Sequence, residues 1–323
     1  MAIRIRFGKA NQKILKNLKR TARLILRKSN LARSSSLCVN PDQLRSVIEN
    51  ELRERVTYFG NLSNGTDHAT NLVTTTNSRY VLKIPKTASD LGLSFRQKFA
   101  FRALQGKLPI PTIRLATEKY VLEDYIYGIN LDRASLDKAE EKKVFTQLGR
   151  FLNTIHQTKT EGFGVIGLDG KGQFSTLSNY ARDLMDTWLP RLAKLSLLSP
   201  PEYDHLIEYL KRYDSNLDSV QTVMLHNDYD DYNIRVKNGT ISGVLDFADL
   251  SSGPAAIDFA RPFITYYGKQ RFAYMLEGYG HADLKEIEYH AVLHLIRIIP
   301  YHARLKQDRK VAHRLKILRK VIH

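Results

Sequence analysis

Cysteine is nearly absent: Cys38 is the one thiol in 323 residues. A lone thiol excludes an internal disulfide, and with it the small cross-linked scaffolds of secreted proteins, and it fits a reducing compartment. The sequence also lacks the run of about eighteen apolar residues that a bilayer-crossing helix needs. Its start has no apolar core of the secretory kind, so the expectation is a cytoplasmic protein. Acidic residues are missing from residues 1–33, which carry eleven Lys or Arg, and in residues 304–320 eight Lys or Arg face the single Asp308. The net charge of +17 therefore belongs to the two ends, and the chain between them is close to neutral. Interleaved aromatics are absent from those ends, with Phe7 alone in the first stretch, so stacking on single-stranded nucleic acid has little to stand on. No dedicated nucleic-acid partner is expected.

What remains, 43% hydrophobic and 26% charged, describes a soluble globular protein of one large or two modest domains. Residues 9–29 place Ile14, Leu15, Leu18, Ala22, Ile25 and Leu26 at helical spacing among lysines and arginines. This basic amphipathic stretch reads as a helix packed on its own domain, or as one that lies on an anionic membrane, meets a polyanion or serves as a cleaved targeting segment. Residues 305–322 repeat the character, with Val311, Leu315, Leu318 and Ile322 as the apolar stripe. Weak contact with an anionic membrane through these termini is the corresponding partner reading, and a peripheral location its consequence.

The chemistry concentrates between Thr222 and Ala260. An apolar run enters His226-x-Asp228, Asn233 follows, an Asn238-Gly239 turn reverses the chain, and a second apolar run delivers Asp246. Asn-Gly tolerates positive φ at both positions and folds such a segment into a hairpin, which returns Asp246 beside Asn233. Phosphoryl transfer requires a carboxylate to take the proton of the attacking hydroxyl and hard oxygen ligands for Mg²⁺. Asp228 supplies the first; Asn233 and Asp246 supply the others.

His226-x-Asp228-x4-Asn233, then Val-Leu-Asp246-Phe and Gly253-x4-Asp258-Phe-Ala, resembles the signature of the aminoglycoside phosphotransferase and choline kinase superfamily. The resemblance covers about residues 55–303. It implies a bilobal, protein-kinase-like α+β fold with a small antiparallel-sheet N-lobe and a mostly helical C-lobe. ATP and Mg²⁺ are the implied cofactors, and a hydroxyl of a small molecule is the implied acceptor. Asp228 becomes the catalytic base, Asn233 and Asp246 the metal ligands, His226 an orienting residue and Asp258 a brace for the loop. The chain divides into a basic amphipathic extension (1–38), a nucleotide-binding lobe (39–122), a catalytic and acceptor-binding lobe (123–303) and a basic helix (304–323).

Other motifs take their roles from the same resemblance. A polar hairpin tip with Ser63 and Gly65 offers backbone N–H groups to phosphates. Lys83, on a strand of tyrosine and apolar residues, resembles the lysine that holds the α- and β-phosphates. Glu123 and Tyr125 fall at the hinge whose backbone meets the adenine. Gln97 stands where the family has a glutamate to pair with that lysine, on a helix without any acid. It accepts one hydrogen bond from Lys83 at best, and Lys83 is then left without a carboxylate. That departure motivates a second reading, a catalytically weak kinase-like scaffold or nucleotide-binding module. Around the site, Asp230, Asp231 and Asp249 suit a cationic or polyhydroxylated acceptor such as an amino sugar or amino alcohol; the alternative for Asp231 is a turn residue and for Asp249 a loop cap.

Overall fold

The computed structural model describes residues 41–64, 68–86, 92–212 and 220–323. The extension over residues 1–38 and Gly65 lie outside the described residues, as does the side chain of Ser63. After helix α1 (Pro41–Leu52), strands β1 (Val56–Asn64), β2 (His68–Thr75) and β3 (Arg79–Pro85) run antiparallel. Helix α2 (Leu93–Leu104) follows, then β4 (Ile113–Ala116) and β5 (Val121–Asp124), which complete a sheet of order β1-β2-β3-β5-β4. Alternation seats one face on a small core: Val73, Tyr80, Leu82 and Leu122 pack with Leu44 and Ile48 of α1.

The second lobe has its own, larger core. A short strand β6 (Ile129–Asn130) leads to α3 (Lys138–His156), whose start is fixed by a capping box between Asp137 and Glu140. Strands β7 (Phe163–Ile166) and β8 (Gly172–Phe174) precede α4 (Leu177–Ala193) and α5 (Pro200–Arg212). Strand β9 (Val223–Leu225) feeds the loop that carries His226 and Asp228, and β10 (Ile234–Lys237) and β11 (Thr240–Val244) form the hairpin that the Asn-Gly turn requires. Asn238 and Gly239 both take positive φ, 52° and 63°. After β12 (Ser251–Gly253) come α6 (Ala256–Thr265), α7 (Gln270–Tyr279), α8 (Leu284–Arg304) and α9 (Asp308–Ile322).

The apolar periodicity over residues 261–276 reads as one helix, but the chain breaks it between α6 and α7 at Tyr266–Lys269, where Gly268 takes φ 69°. The break lets α7 lie along α3 with Gly149 and Gly278 at the contact. A Cβ at Gly149 would collide with the Met275 carbonyl, and one at Gly278 with the Thr146 carbonyl. The apolar stripe of α9, Val311, Leu315, Leu318 and Ile322, is buried within the larger core. A helix whose apolar face is already covered by its own chain has none to insert into a bilayer. Among the described residues no helix is long and apolar enough to cross a membrane.

Candidate active site

Strand β9 is wholly buried and pushes His226, itself without exposure, to the end of the sheet. The chain then turns sharply: Asn227 takes φ 60°, a conformation that asparagine tolerates better than most residues. Asp258, near the start of α6, accepts the N–H groups of His226 (2.7 Å) and Asn227 (2.6 Å) with its two oxygens. His156, at the end of α3, contacts the same carboxylate at 3.1 Å. Three elements distant in sequence therefore hold one turn.

His226 bonds to backbone on both ring nitrogens. Nε2 donates to the Leu245 carbonyl at 2.9 Å, and Nδ1 accepts the Asp228 N–H at 3.3 Å. The ring is thus a strut between the loop and the strand leading to Asp246. The Leu245 N–H in turn donates to the Asn233 carbonyl at 2.7 Å, which ties Asp246 to the loop. Asn233 Nδ2 donates to the Asp228 carboxylate (2.8 Å) and carbonyl (2.9 Å), so the amide oxygen is left for another partner. Asp246 takes φ 66°, strained for a non-glycine residue and of the kind that clusters at functional sites.

Lys83 on β3 is 3% exposed and lies between two carboxylates, Glu123 at 3.0 Å and Asp246 at 3.3 Å. Burial works against its charge, but those carboxylates outweigh burial and hold the ammonium's pKa above the ordinary lysine value. Burial pushes the Glu123 carboxyl up, against Lys83. Burial also opposes ionisation of Asp246, yet Lys83 and His68 prevail and hold it down.

Two sequence expectations need correction here. Gln97 accepts nothing from Lys83; its amide Nε2 donates to Asp246 at 3.4 Å, while Arg96 on the same helix donates to the Ala248 carbonyl. The helix therefore grips the loop that carries Asp246 instead of the lysine. The lysine does have a carboxylate, supplied by β5, because the antiparallel register pairs Lys83 with Val121 and Val81 with Glu123 and brings the Glu123 side chain to the lysine. Glu123 itself lies inside the sheet with β3 and β4 on either side, not at a free hinge. The N–H of Tyr125, just beyond, is taken by the Arg79 carbonyl at 3.1 Å.

Lys83, Glu123, Tyr125, Asn233 and Asp246 line a cavity of about 470 Å³ between the lobes. A second cavity of about 440 Å³ lies beyond the catalytic loop, and Tyr232 lines both. Asp230 and Asp231 reach this second cavity; Asp249 is not among its lining residues. Asp230 is engaged internally, since it accepts from Arg261 at 3.0 Å and from the Asp231 N–H at 2.7 Å. Asp231 accepts from the Tyr266 hydroxyl, and burial raises its pKa to about 6.

Arg261, His68 and Asp132 escaped the sequence reading. Arg261 Nη1 bridges Asp228 (2.7 Å) and Asp230 (3.0 Å), so both oxygens of Asp228 are held, one by the guanidinium and one by Asn233. His68, at the start of β2, lies 3.7 Å from Asp246. Asp132, just after β6, lines the second cavity. A signal existed only for Arg261, three residues after Asp258 and so on a neighbouring helix face.

The sequence model of the phosphotransferase enzyme family matches residues 60–295. No curated protein sequence matches the chain. Among solved structures, it is similar to aminoglycoside phosphotransferase APH(4)-Ia at 16% identity and a TM-score of 0.65, over 86% of this chain and 97% of that one. The streptomycin–ATP ternary complex of APH(2″)-IIa gives 20% identity and a TM-score of 0.62, over 88% and 99%. The gentamicin complex of APH(2″)-IIa gives 20% and 0.61, over 87% and 96%. Identities this low speak for the fold, which is the bilobal kinase-like one that the lobes and their sheets describe. The family match is the stronger finding, because it runs from β1 into α8 and takes in both lobes with the cleft between them: the chain belongs to the phosphotransferase enzyme family.

Proposed function

We propose that this phosphotransferase moves the γ-phosphoryl group of ATP to a hydroxyl of a small molecule, with Mg²⁺. The observation that carries the reading is that Asn233, Asp246 and Lys83 line one cavity, Arg261 lines the other, and Asp228 is bonded to both Asn233 and Arg261. In-line transfer needs positioning and charge neutralisation more than covalent help. Lys83 is a fixed cation for the nucleotide phosphates. Its ion pairs keep it extended and charged before any nucleotide arrives.

Asp228 faces the acceptor with both oxygens already oriented, and each retains a lone pair for the hydroxyl proton. Arg261 and Asn233 thus select the direction in which the carboxylate accepts. The residues present suit magnesium: Asn233 has its amide oxygen free because its nitrogen is occupied, and Asp246 offers a carboxylate held ionised. Magnesium takes few protein ligands and shares phosphate oxygens. When bound, Mg²⁺ offsets charge on the phosphates.

For the acceptor, an amino sugar or amino alcohol is the reading that acids around the second cavity favour. Asp132 lines it without an ion pair among the described residues, and Asp231 is half-buried there. Two similar folds are complexes with gentamicin and streptomycin. The scaffold reading loses its motive, since the missing helix glutamate does not leave Lys83 unpaired.

The test is ATP consumption by the purified protein with Mg²⁺ against aminoglycosides, amino alcohols, sugars and homoserine, with Asp228→Ala alongside. Acceptor-dependent turnover that vanishes in the variant supports the proposal. Turnover that survives in a folded Asp228→Ala protein ends it.

A further inference from the structure

The second cavity is bounded by opposite charges that do not meet across it. On the catalytic-loop side stand Asp132 and Asp231; on the other, Lys310 and Arg314 project from α9. Arg261 and Asp230 neutralise one another at the junction with Asp228, but no ion pair among the described residues joins the two sides. Arg314 is the informative residue. It is half-buried, its Nη1 donates only to the Lys310 carbonyl at 3.3 Å, and its Nε has no partner. Arg314 feels the field of Asp230 but has no carboxylate in contact, and a guanidinium half withdrawn from water in that state beside a cavity points to an anion that completes it.

We propose that the acceptor, besides its hydroxyl, carries a carboxylate or phosphate group held by Arg314 and Lys310, with an ammonium toward Asp132 and Asp231. The substrate class is then a zwitterionic hydroxy compound, such as a hydroxy amino acid or a phosphorylated amino sugar. The two charged contacts together fix how the molecule is oriented and so present its hydroxyl to Asp228. This rests on the kinase reading above and narrows its acceptor.

Matched pairs that differ only in the anion test it: serine against ethanolamine, homoserine against propanolamine, and glucosamine phosphate against glucosamine. Binding by calorimetry with ADP and Mg²⁺, and ATP turnover, are read for the wild type, Arg314→Gln, Lys310→Gln and the charge-matched control Arg309→Gln, which alters an exposed residue of α9. The expected result is a preference of about tenfold or more for the anionic member of a pair. That preference is lost in Arg314→Gln, reduced in Lys310→Gln and retained in Arg309→Gln. Which pair shows it separates a carboxylate from a phosphate. Equal use of both members, failure of every anionic member to bind, or a preference that survives Arg314→Gln overturns the proposal. A failed anion site leaves Asp228-dependent turnover of the plain amines intact, whereas a failed kinase reading shows as turnover indifferent to Asp228→Ala.

Discussion

The two cavities beside Asp228 are similar in volume, about 470 and 440 Å³, and opposite in how their charges are arranged. In the cleft between the lobes Lys83, Glu123 and Asp246 already pair with one another, from adjacent strands and a tied loop. In the second cavity Asp132 and the pair Lys310 and Arg314 come from segments far apart in sequence and have no ion pair among the described residues. A site for a reactant that is always the same is best assembled in advance; a site that selects among acceptors keeps its charges for the acceptor. The contrast makes separate predictions for the two sides.

The largest effect should come at the loop between the cavities. Asp228→Ala is expected to lower turnover by about 10²–10⁴ while ATP affinity, measured by calorimetry, stays within a few-fold. Next, Glu123→Gln removes one charge from a preassembled trio and should raise the KM for ATP about tenfold, with acceptor KM unaltered. A variant that instead shifts acceptor KM would break the division between the cavities.

A smaller effect sits on the other side. Burial raises the Asp231 pKa to about 6, above its ordinary value near 3.8, so the fold prefers the neutral carboxyl. The stability this group contributes is present below the unfolded pKa of about 4 and is lost as pH rises through about 6. Asp231→Asn should therefore be more stable than wild type at pH 8, on the order of 1 kcal/mol, and equal to it at pH 4. Thermal unfolding at the two pH values reads this directly. Smallest of all, Gln97→Glu should lower turnover a few-fold instead of raising it, because a carboxylate there meets Asp246 and not Lys83. Improved turnover in Gln97→Glu would restore the helix as the lysine's true partner.

The cleft was more legible than the second cavity for a physical reason. Its residues recur at short spacings on strands and on one hairpin, where period and turn chemistry fix neighbours: Asn238-Gly239 alone sets how Asp246 returns to Asn233. Even there the partner of Lys83 was misread, because pairing between β3 and β5 joins residues forty positions apart, and the register that carries Glu123 to the lysine leaves no local mark. Arg261 and Asp132 were missed for the same reason, and the helix expected over residues 261–276 hid the break at Tyr266–Lys269.

The sequence by itself determined the hairpin and the buried run into His226, since an Asn-Gly turn and an apolar strand dictate their own immediate geometry, and the brace at Asp258 came with the family resemblance. It also determined that the basicity lies at the ends. Only the tertiary structure decided what the C-terminal basic residues face. The helical period shows that Val311, Leu315, Leu318 and Ile322 share a side, but burial of that stripe in the larger core is what turns Lys310 and Arg314 toward the second cavity. A helix's own periodicity fixes which residues lie together, and packing against other elements fixes where that face is aimed.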